Sequence, residues 1–201
     1  MQHKQLISWR QINNFLTVSI ILVCSYIIIL PILPAVQFWI AERLGVERQL
    51  PYPVHSYGTK PNSKPKTTTK PTDNRLIIPS AHINEPLVQG GPRNLDKGIW
   101  AVPHTSTPDV GSNTVLAGHR FMYTNALFYN LDKVRMDDIV AIFWQGKEYN
   151  YRVNSVSVVR PTATEIQNPS EEPMLTMYTC TPLWTSKNRL VVRAKLIYKE
   201  S

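Results

Sequence analysis

The chain has 201 residues and a formal net charge of +8, enough for one domain of about 100–150 residues and an additional segment. The charge is uneven: residues 1–72 carry eight Lys and Arg against two acids, whereas residues 73–201 carry a net charge of only +2. A nucleic-acid-binding domain would hold its basic excess on the folded part. The distribution therefore argues against nucleic acid as a partner and favours an anionic membrane surface or cell wall near residues 1–72.

An uncharged apolar run, FLTVSIILVCSYIIILPILPAV, covers residues 15–36. Crossing the hydrocarbon layer takes roughly 20 residues, and the apolar part of a cleaved signal peptide is shorter, about 7–15 residues. We therefore expect a single transmembrane helix that contacts membrane lipid. Lys and Arg nearly balance on its two flanks. The short tail, residues 1–14, is most simply cytoplasmic, which places residues 41–201 outside the cell membrane.

A spacer is predicted to follow the helix over residues 37–72. Its later part, residues 50–72, is rich in Pro, Thr, Lys and Ser and has no hydrophobic periodicity. Such a composition is typical of a semi-extended linker. The composition changes at about residue 73, and we predict one folded domain over residues 73–201.

Short β-branched and apolar runs separated by turn residues predict seven or eight strands in that domain. The runs lie at two places within 75–91 and at 98–102, 112–119, 138–144, 148–159, 175–181 and 189–198. Gln145-Gly146-Lys147 predicts a hairpin turn, a bulge near Asn154-Ser155 explains a change of parity, and short helices are predicted within 126–134 and 162–168. We therefore predict an all-β fold: a closed or nearly closed antiparallel barrel with one or two short helices.

The chain has two cysteines, and they cannot pair. Cys24 lies within the apolar run, whereas Cys180 ends the predicted strand LTMYTC. An extracytoplasmic compartment permits disulfides, so an unpaired Cys180 indicates reactivity or intermolecular pairing. A small buried hydrophobic residue is the alternative interpretation.

Three chemically suited residues lie at strand ends: His119 ends TVLAGH, Cys180 ends LTMYTC, and Arg189 opens RLVVRA. A thiolate can attack an amide carbonyl, a histidine can protonate the leaving amine, and an arginine can stabilise the developing oxyanion. A histidine in a strand is more often structural, and a strand-end arginine is usually a solvated charge. Spacing alone therefore leaves both interpretations open, and His82 and His104 receive no role.

Three segments together resemble the sortase family: NTVLAGHR at 113–120, LTMYTCTP at 175–182 and RLVVRA at 189–194. They occur in the family's order, after an N-terminal apolar segment and a spacer. The resemblance covers about residues 75–201. One conservative departure is Met177, which occupies a position where the family motif has Leu.

The resemblance implies an eight-stranded sortase β-barrel with Cys180 as nucleophile, His119 as acid and base, and Arg189 as the oxyanion-stabilising or substrate-positioning group. It implies cleavage of a Leu-Pro-x-Thr-Gly-type sorting signal in secreted proteins through a thioester. The acyl group then passes to an amine, such as a peptidoglycan precursor or a surface subunit. Thr179 and Trp184 are expected to border the substrate groove.

The resemblance leaves the subclass open. Pro51-Tyr52-Pro53 lacks the Asp of a pilin-sortase lid motif, and Thr181-Pro182 after the cysteine resembles several non-housekeeping classes, so we favour attachment to a wall or surface acceptor. No cofactor and no metal are predicted, because three acids near the expected groove, Glu165, Glu171 and Glu172, fit a solvated loop. A cysteine hydrolase on the same barrel and a non-catalytic tethered binding barrel are the rival functions.

Overall fold

The computed structural model describes residues 9–30, 32–33, 36, 39–40, 43, 70–121 and 126–201. The chain divides into two compact units, Met1–Leu44 and Gly45–Ser201. Most of the predicted spacer lies outside the described residues, and so does most of the predicted N-terminal tail. The proposed domain boundary at residue 73 therefore stays a prediction.

Among the described residues of the first unit, a continuous helix, α1, spans Trp9–Ile29. Its 21 residues make it long and apolar enough to cross a membrane. It begins six residues before the predicted apolar run because the polar residues ahead of the run continue the same backbone hydrogen bonding. It ends two residues before Pro31, which lacks the N–H that a continuing helix would use.

Eight strands in the second unit form a closed barrel, as the sequence predicts. Their bounds are β1 Arg75–Ile78, β2 Ile83–Val88, β3 Ile99–Ala101, β4 Asn113–Ala117, β5 Ile139–Trp144, β6 Lys147–Val159, β7 Met174–Thr181 and β8 Asn188–Lys199. The order around the barrel is β1-β2-β3-β4-β7-β8-β6-β5, and β5 closes on β1. Closure leaves this sheet without open edges along its paired length.

The expectation of an antiparallel barrel is wrong for two of the eight neighbouring strand pairs. Strand β2 runs parallel to β3, and β4 runs parallel to β7. Parallel neighbours need a connection long enough to return the chain to the starting end. Between β4 and β7 the chain makes that return through β5 and β6, a long-range arrangement that strand periodicity does not report.

Strands β5 and β6 form the predicted hairpin. Gln145 and Gly146 make its two-residue turn with φ angles of 50° and 77°, the left-handed pair that suits the twist of a tight hairpin. The predicted bulge is confirmed by a register shift between Val153 and Ser155 against β8. Beyond it, β6 extends past the end of β5.

Four 3₁₀ helices connect the described strands. They span Pro79–Ala81, Pro92–Asp96, Leu131–Lys133 and Thr164–Gln167. The last two lie within the segments for which short helices are predicted. The second connects β2 to β3 and, as shown below, contributes to the site.

Side chains alternate between two apolar clusters on opposite faces of β4 and β7. Leu116, Leu175 and Met177 point into the barrel and belong to its main core. The residues that alternate with them along β4 and β7 point outward. A second apolar group lies on that side, the outer cluster, which consists of Val102, Val115 and Ala117 with Leu95, Trp100 and Tyr178 packed against them.

Candidate active site

Strands β7 and β8 place Cys180 beside Arg189. The two residues are direct partners in the antiparallel register, in which Thr179 also pairs with Leu190 and Thr181 with Asn188. Cα atoms of directly opposed residues lie about 4.5–5.5 Å apart. A thiol and a guanidinium that are nine residues apart in sequence therefore share one edge of the sheet.

His119 reaches the same place through the parallel pairing of β4 and β7. Ala117 is opposite Tyr178 in the register, and the Gly118 N–H donates a 3.3 Å hydrogen bond to the Tyr178 carbonyl. Two residues beyond the Ala117–Tyr178 pair, the same parallel course brings His119 and Cys180 near each other. Ala117, Tyr178 and Cys180 share the outward parity, which is that of the outer cluster.

Gly118 allows the chain to pass close to a core aromatic ring just before His119. A Cβ atom at this position would lie 2.6 Å from the Phe128 ring, closer than real side chains approach. The Phe128 N–H donates a 2.9 Å hydrogen bond to the His119 carbonyl. Phe128 is fully buried, so His119 rests on a fixed part of the core.

One cavity of about 310 Å³ joins the predicted catalytic residues. Cys180, His119 and Arg189 all line it, with Thr179 beside them. Leu95 and Trp100 form one wall, and the segment that includes the 3₁₀ helix Thr164–Gln167 forms the other. The cavity thus combines an apolar lining with a nucleophile, an acid–base group and a cation.

Burial in the wall of this cavity keeps the Tyr178 hydroxyl neutral. Burial raises the pKa of the Tyr178 hydroxyl; nearby Arg189 and a hydrogen bond from Gln167 oppose the rise, and Cys180 adds to it. The side-chain amide of Gln167 donates to the tyrosine oxygen at 3.4 Å. Tyr178 is therefore a neutral polar group in the wall and not a proton acceptor at neutral pH.

A model of the sortase domain matches residues 76–197. The chain belongs to the sortase family. Sortase A of Bacillus anthracis is 27% identical over 124 residues, a match that covers 61% of this chain and 59% of that protein. Sortase C-1 of Actinomyces oris has a solved structure that is 31% identical, with a TM-score of 0.59, covering 62% of this chain and 73% of that one. Sortase A of Corynebacterium diphtheriae, a lid mutant, has a TM-score of 0.59 and 29% identity over 65% of this chain and 73% of that one.

The family match and the similar solved structures confirm the family and the fold that the sequence motifs predict. Sortases are in general cysteine transpeptidases, and the single unpaired cysteine of this sortase barrel lies in the cavity with His119 and Arg189. The apolar helix α1, together with these relatives, indicates a membrane-anchored protein.

Thr179 and Trp184, the two residues predicted to border the substrate groove, occupy different settings. Thr179 lines the cavity but is only 2% exposed, and its hydroxyl donates a 2.7 Å hydrogen bond to the Gly118 carbonyl. Trp184 is 56% exposed and packs in a tilted contact on Phe121, with ring centroids 6.1 Å apart. It lies outside the set of described residues that line the cavity.

The other sequence candidates are not among the described residues that line this cavity, although Glu165 lies in the adjoining 3₁₀ helix Thr164–Gln167. His82 and His104 adopt left-handed φ angles of 52° and 63° in turns. Glu172 is exposed and bonds Lys195 at 2.7 Å. Across the described parts of the chain, His, Cys, Asp and Glu do not gather in any group of three or more that could hold a metal ion.

Two residues at the site were missed by sequence reasoning. Asp96 places its Oδ1 3.0 Å from Nε2 of His119. Arg120, whose side chain is 8% exposed, donates a 2.9 Å hydrogen bond to the Thr181 hydroxyl and lies 3.0 Å from the Asp132 carboxylate. Arg120 stands directly after His119 in a quoted motif, which is a usable signal. Asp96 has no such signal in the sequence, because it lies in a 3₁₀ turn 23 residues before His119.

Proposed function

We propose that this protein is a membrane-anchored sortase that cleaves a Leu-Pro-x-Thr-Gly-type sorting signal and transfers the acyl fragment to an amine, which attaches proteins to the cell surface. The observation that carries the proposal is the meeting of Cys180, His119 and Arg189 in one cavity. Because the match to Sortase A of Bacillus anthracis covers only 59% of that protein, the activity of the whole protein is proposed from this site and from family membership.

The proposed roles follow from the chemistry of the three side chains. The Cys180 thiolate attacks the scissile carbonyl and forms a thioester. His119 protonates the leaving amine, and Arg189 stabilises the negative charge on the carbonyl oxygen. Since a thioester keeps the acyl group activated, an incoming amine can accept it without a nucleotide.

We further propose that α1 anchors the chain with its N-terminus in the cytoplasm and the barrel outside the membrane. Secreted proteins that carry a sorting motif would be the donors, and a peptidoglycan precursor or a surface subunit would supply the amine. The apolar length of α1 supports the anchor. No cofactor or metal takes part in the proposed reaction, because the thiol, imidazole and guanidinium supply each step.

The test is the intact mass of the full chain, purified in detergent and kept reduced, after incubation with Leu-Pro-x-Thr-Gly-type peptides. We expect an adduct that equals the mass of the peptide's acyl half. Hydroxylamine or a glycine-based amine should release it, and Cys180→Ala should not form it. Cys24→Ala is the matched control, since it removes the other cysteine and should leave the adduct unchanged.

Two results would contradict the proposal. Release of the acid alone, with an added amine at saturating concentration, would indicate the rival cysteine hydrolase on the same barrel. A folded, reduced chain that forms no adduct with a broad peptide library would favour the non-catalytic binding barrel. Resistance of Cys180 to small thiol reagents would then support a structural role for that cysteine.

A further inference from the structure

Asp96 contacts the site histidine from outside the barrel strands. Its Oδ1 lies 3.0 Å from Nε2 of His119. Asp96 is the last residue of the 3₁₀ helix Pro92–Asp96, and its side chain is 68% exposed against 24% for His119. The contact therefore links a surface carboxylate to a half-buried ring that lines the cavity.

The segment that carries Asp96 is fixed by neighbours on both sides. Leu95, the preceding residue, packs into the outer cluster and lines the cavity. The Trp100 indole N–H donates a 2.9 Å hydrogen bond to the Gly90 carbonyl, and the Asn94 amide donates one of 2.6 Å to the Gln89 carbonyl. These contacts hold the backbone on which Asp96 stands, and the carboxylate itself contacts His119.

Arg120, a buried cation beside His119 in the sequence, bonds other groups. Arg120 directly follows His119, but its guanidinium already bonds Asp132 and Thr181. Asp96 is therefore left to the imidazole. Asp132 thus pairs with Arg120, and Asp96 pairs with His119.

We propose that Asp96 is a positioning residue for the transfer reaction, a role that rests on the proposed function. Its carboxylate accepts a hydrogen bond from Nε2–H of His119 and so fixes Nδ1 as the nitrogen that carries the proton in the reaction. A neutral imidazole has one nitrogen that donates and one that accepts. With Nε2–H bound to Asp96, the accepting lone pair lies on Nδ1.

The proton balance of the reaction then runs through Nδ1. Nδ1 takes the proton of the Cys180 thiol, and the thiolate attacks the peptide carbonyl. When the C–N bond breaks, the same proton passes from Nδ1 to the leaving amine. The acceptor amine then attacks the thioester, the C–S bond breaks, and the proton lost by that amine returns through Nδ1 to the thiolate. Throughout the reaction the second ring proton stays on Nε2 and remains hydrogen-bonded to the Asp96 carboxylate.

The experiment compares the wild-type full chain with Asp96→Ala, each in detergent and labelled with ¹⁵N-histidine. Glu172→Ala is the matched control, because Glu172 is also 68% exposed and holds a single basic partner, Lys195. The first readout is the pair of His119 ring nitrogen shifts at a pH where the ring is neutral, assigned with a His119 variant. We expect the Nε2–H tautomer in the wild type and in Glu172→Ala, and a mixture of tautomers in Asp96→Ala.

The second readout is the rate of thioester formation against peptide concentration. Because the contact is exposed and screened by water, we expect kcat to fall about fivefold in Asp96→Ala, with KM unchanged. Asp96→Glu, which keeps the carboxylate, should recover part of that loss. We expect Asp96→Ala to change the tautomer ratio and to keep the thermal stability of the wild type. If Asp96 had only a structural role, this combination would not be observed.

Unchanged ring shifts in Asp96→Ala would overturn the inference, and so would an unchanged kcat. A wild-type chain that forms no thioester would overturn the proposed function and with it any role of Asp96 in transfer. The ring shifts do not depend on substrate. They therefore report the contact between Asp96 and His119 even if the wild-type chain forms no thioester.

Discussion

The hydroxyl of Thr179 donates a 2.7 Å hydrogen bond to the carbonyl of Gly118. Thr179 directly precedes Cys180, and Gly118 directly precedes His119. The bond therefore ties the strand that carries the nucleophile to the chain that carries the acid–base group. Its buried position means that water cannot replace it.

Thr179→Val should lower both stability and activity, because it keeps the side-chain shape and deletes this hydrogen bond. Leaving a buried polar group without its partner costs about 1–3 kcal/mol. We expect a lower melting temperature and slower thioester formation, measured by thermal unfolding and intact mass. Thr179→Ser, which retains the hydroxyl, is the control. Wild-type behaviour of the valine variant would show that the bond does not hold the two strands together.

Gly118→Ala should disturb the site because the new methyl group would meet the Phe128 ring at 2.6 Å. Overpacking of this kind costs about 1–3 kcal/mol, and relief by backbone movement would displace His119. Gly91→Ala is the matched control, since a Cβ there meets nothing within 4 Å and its φ is an ordinary −70°. We expect Gly118→Ala to lose stability and thioester formation while Gly91→Ala keeps both.

Truncation of Phe128 should relieve the Gly118→Ala variant. Phe128→Ala removes the Cγ, Cδ2 and Cε2 atoms that a Cβ at residue 118 would meet, so Gly118→Ala should lower the melting temperature less in the Phe128→Ala background than in the wild type. The two sites are in contact and their effects should therefore not add. Strict additivity would indicate that the clash with Phe128 is not the cause.

The strands and the three catalytic candidates could be predicted because their signals are local. Alternation along 189–198 reports a strand directly, and the Gln145-Gly146 pair marks the hairpin turn. His119, Cys180 and Arg189 stand at strand ends within short motifs. These features need no knowledge of which strands are neighbours.

The parallel pairs and the contact of Asp96 with His119 could not be predicted, because they depend on contacts between distant segments. Strand β7 is the parallel neighbour of β4 although β5 and β6 lie between them in the sequence. Asp96 meets His119 through a 3₁₀ turn that has no periodic signal. Thr179, which is predicted to border the groove, lines the cavity, but its local sequence does not indicate that its hydroxyl bonds the Gly118 carbonyl.

The contribution of Asp73 to stability should disappear in acid. A hydrogen bond from Arg75 holds the pKa of the Asp73 carboxyl below its ordinary value of 3.8, and Arg75 also bonds the Asn84 side chain at 2.8 Å. An acid with a lowered pKa stabilises the fold above that ordinary value, and the contribution is lost as the pH falls through the folded pKa. Because Asp73 is 48% exposed, the effect is at most about 0.5 kcal/mol.

The measurement is the difference in melting temperature between wild type and Asp73→Ala at two pH values. We expect a small destabilisation at about pH 7 that shrinks as the pH is lowered below the ordinary pKa of 3.8 and the carboxyl becomes protonated. Glu171→Ala, an exposed carboxylate elsewhere on the domain, controls for the change in net charge. A difference that persists in acid would show that Asp73 acts through packing and not through its charge.

Arg189→Ala should slow thioester formation about 10²–10³-fold, the usual cost of removing one group that stabilises an oxyanion. The Arg189 guanidinium is held at the cavity by hydrogen bonds of 3.1 and 3.2 Å to the carbonyls of Ser186 and Asn188. Arg189→Lys keeps the charge but loses the planar fork, so its rate should lie between the two. Arg152→Ala, which removes an exposed arginine of β6, is the control and should leave the rate unchanged. Equal rates for Arg189→Ala and the wild type would assign this arginine to the solvated surface, the interpretation that spacing alone leaves open.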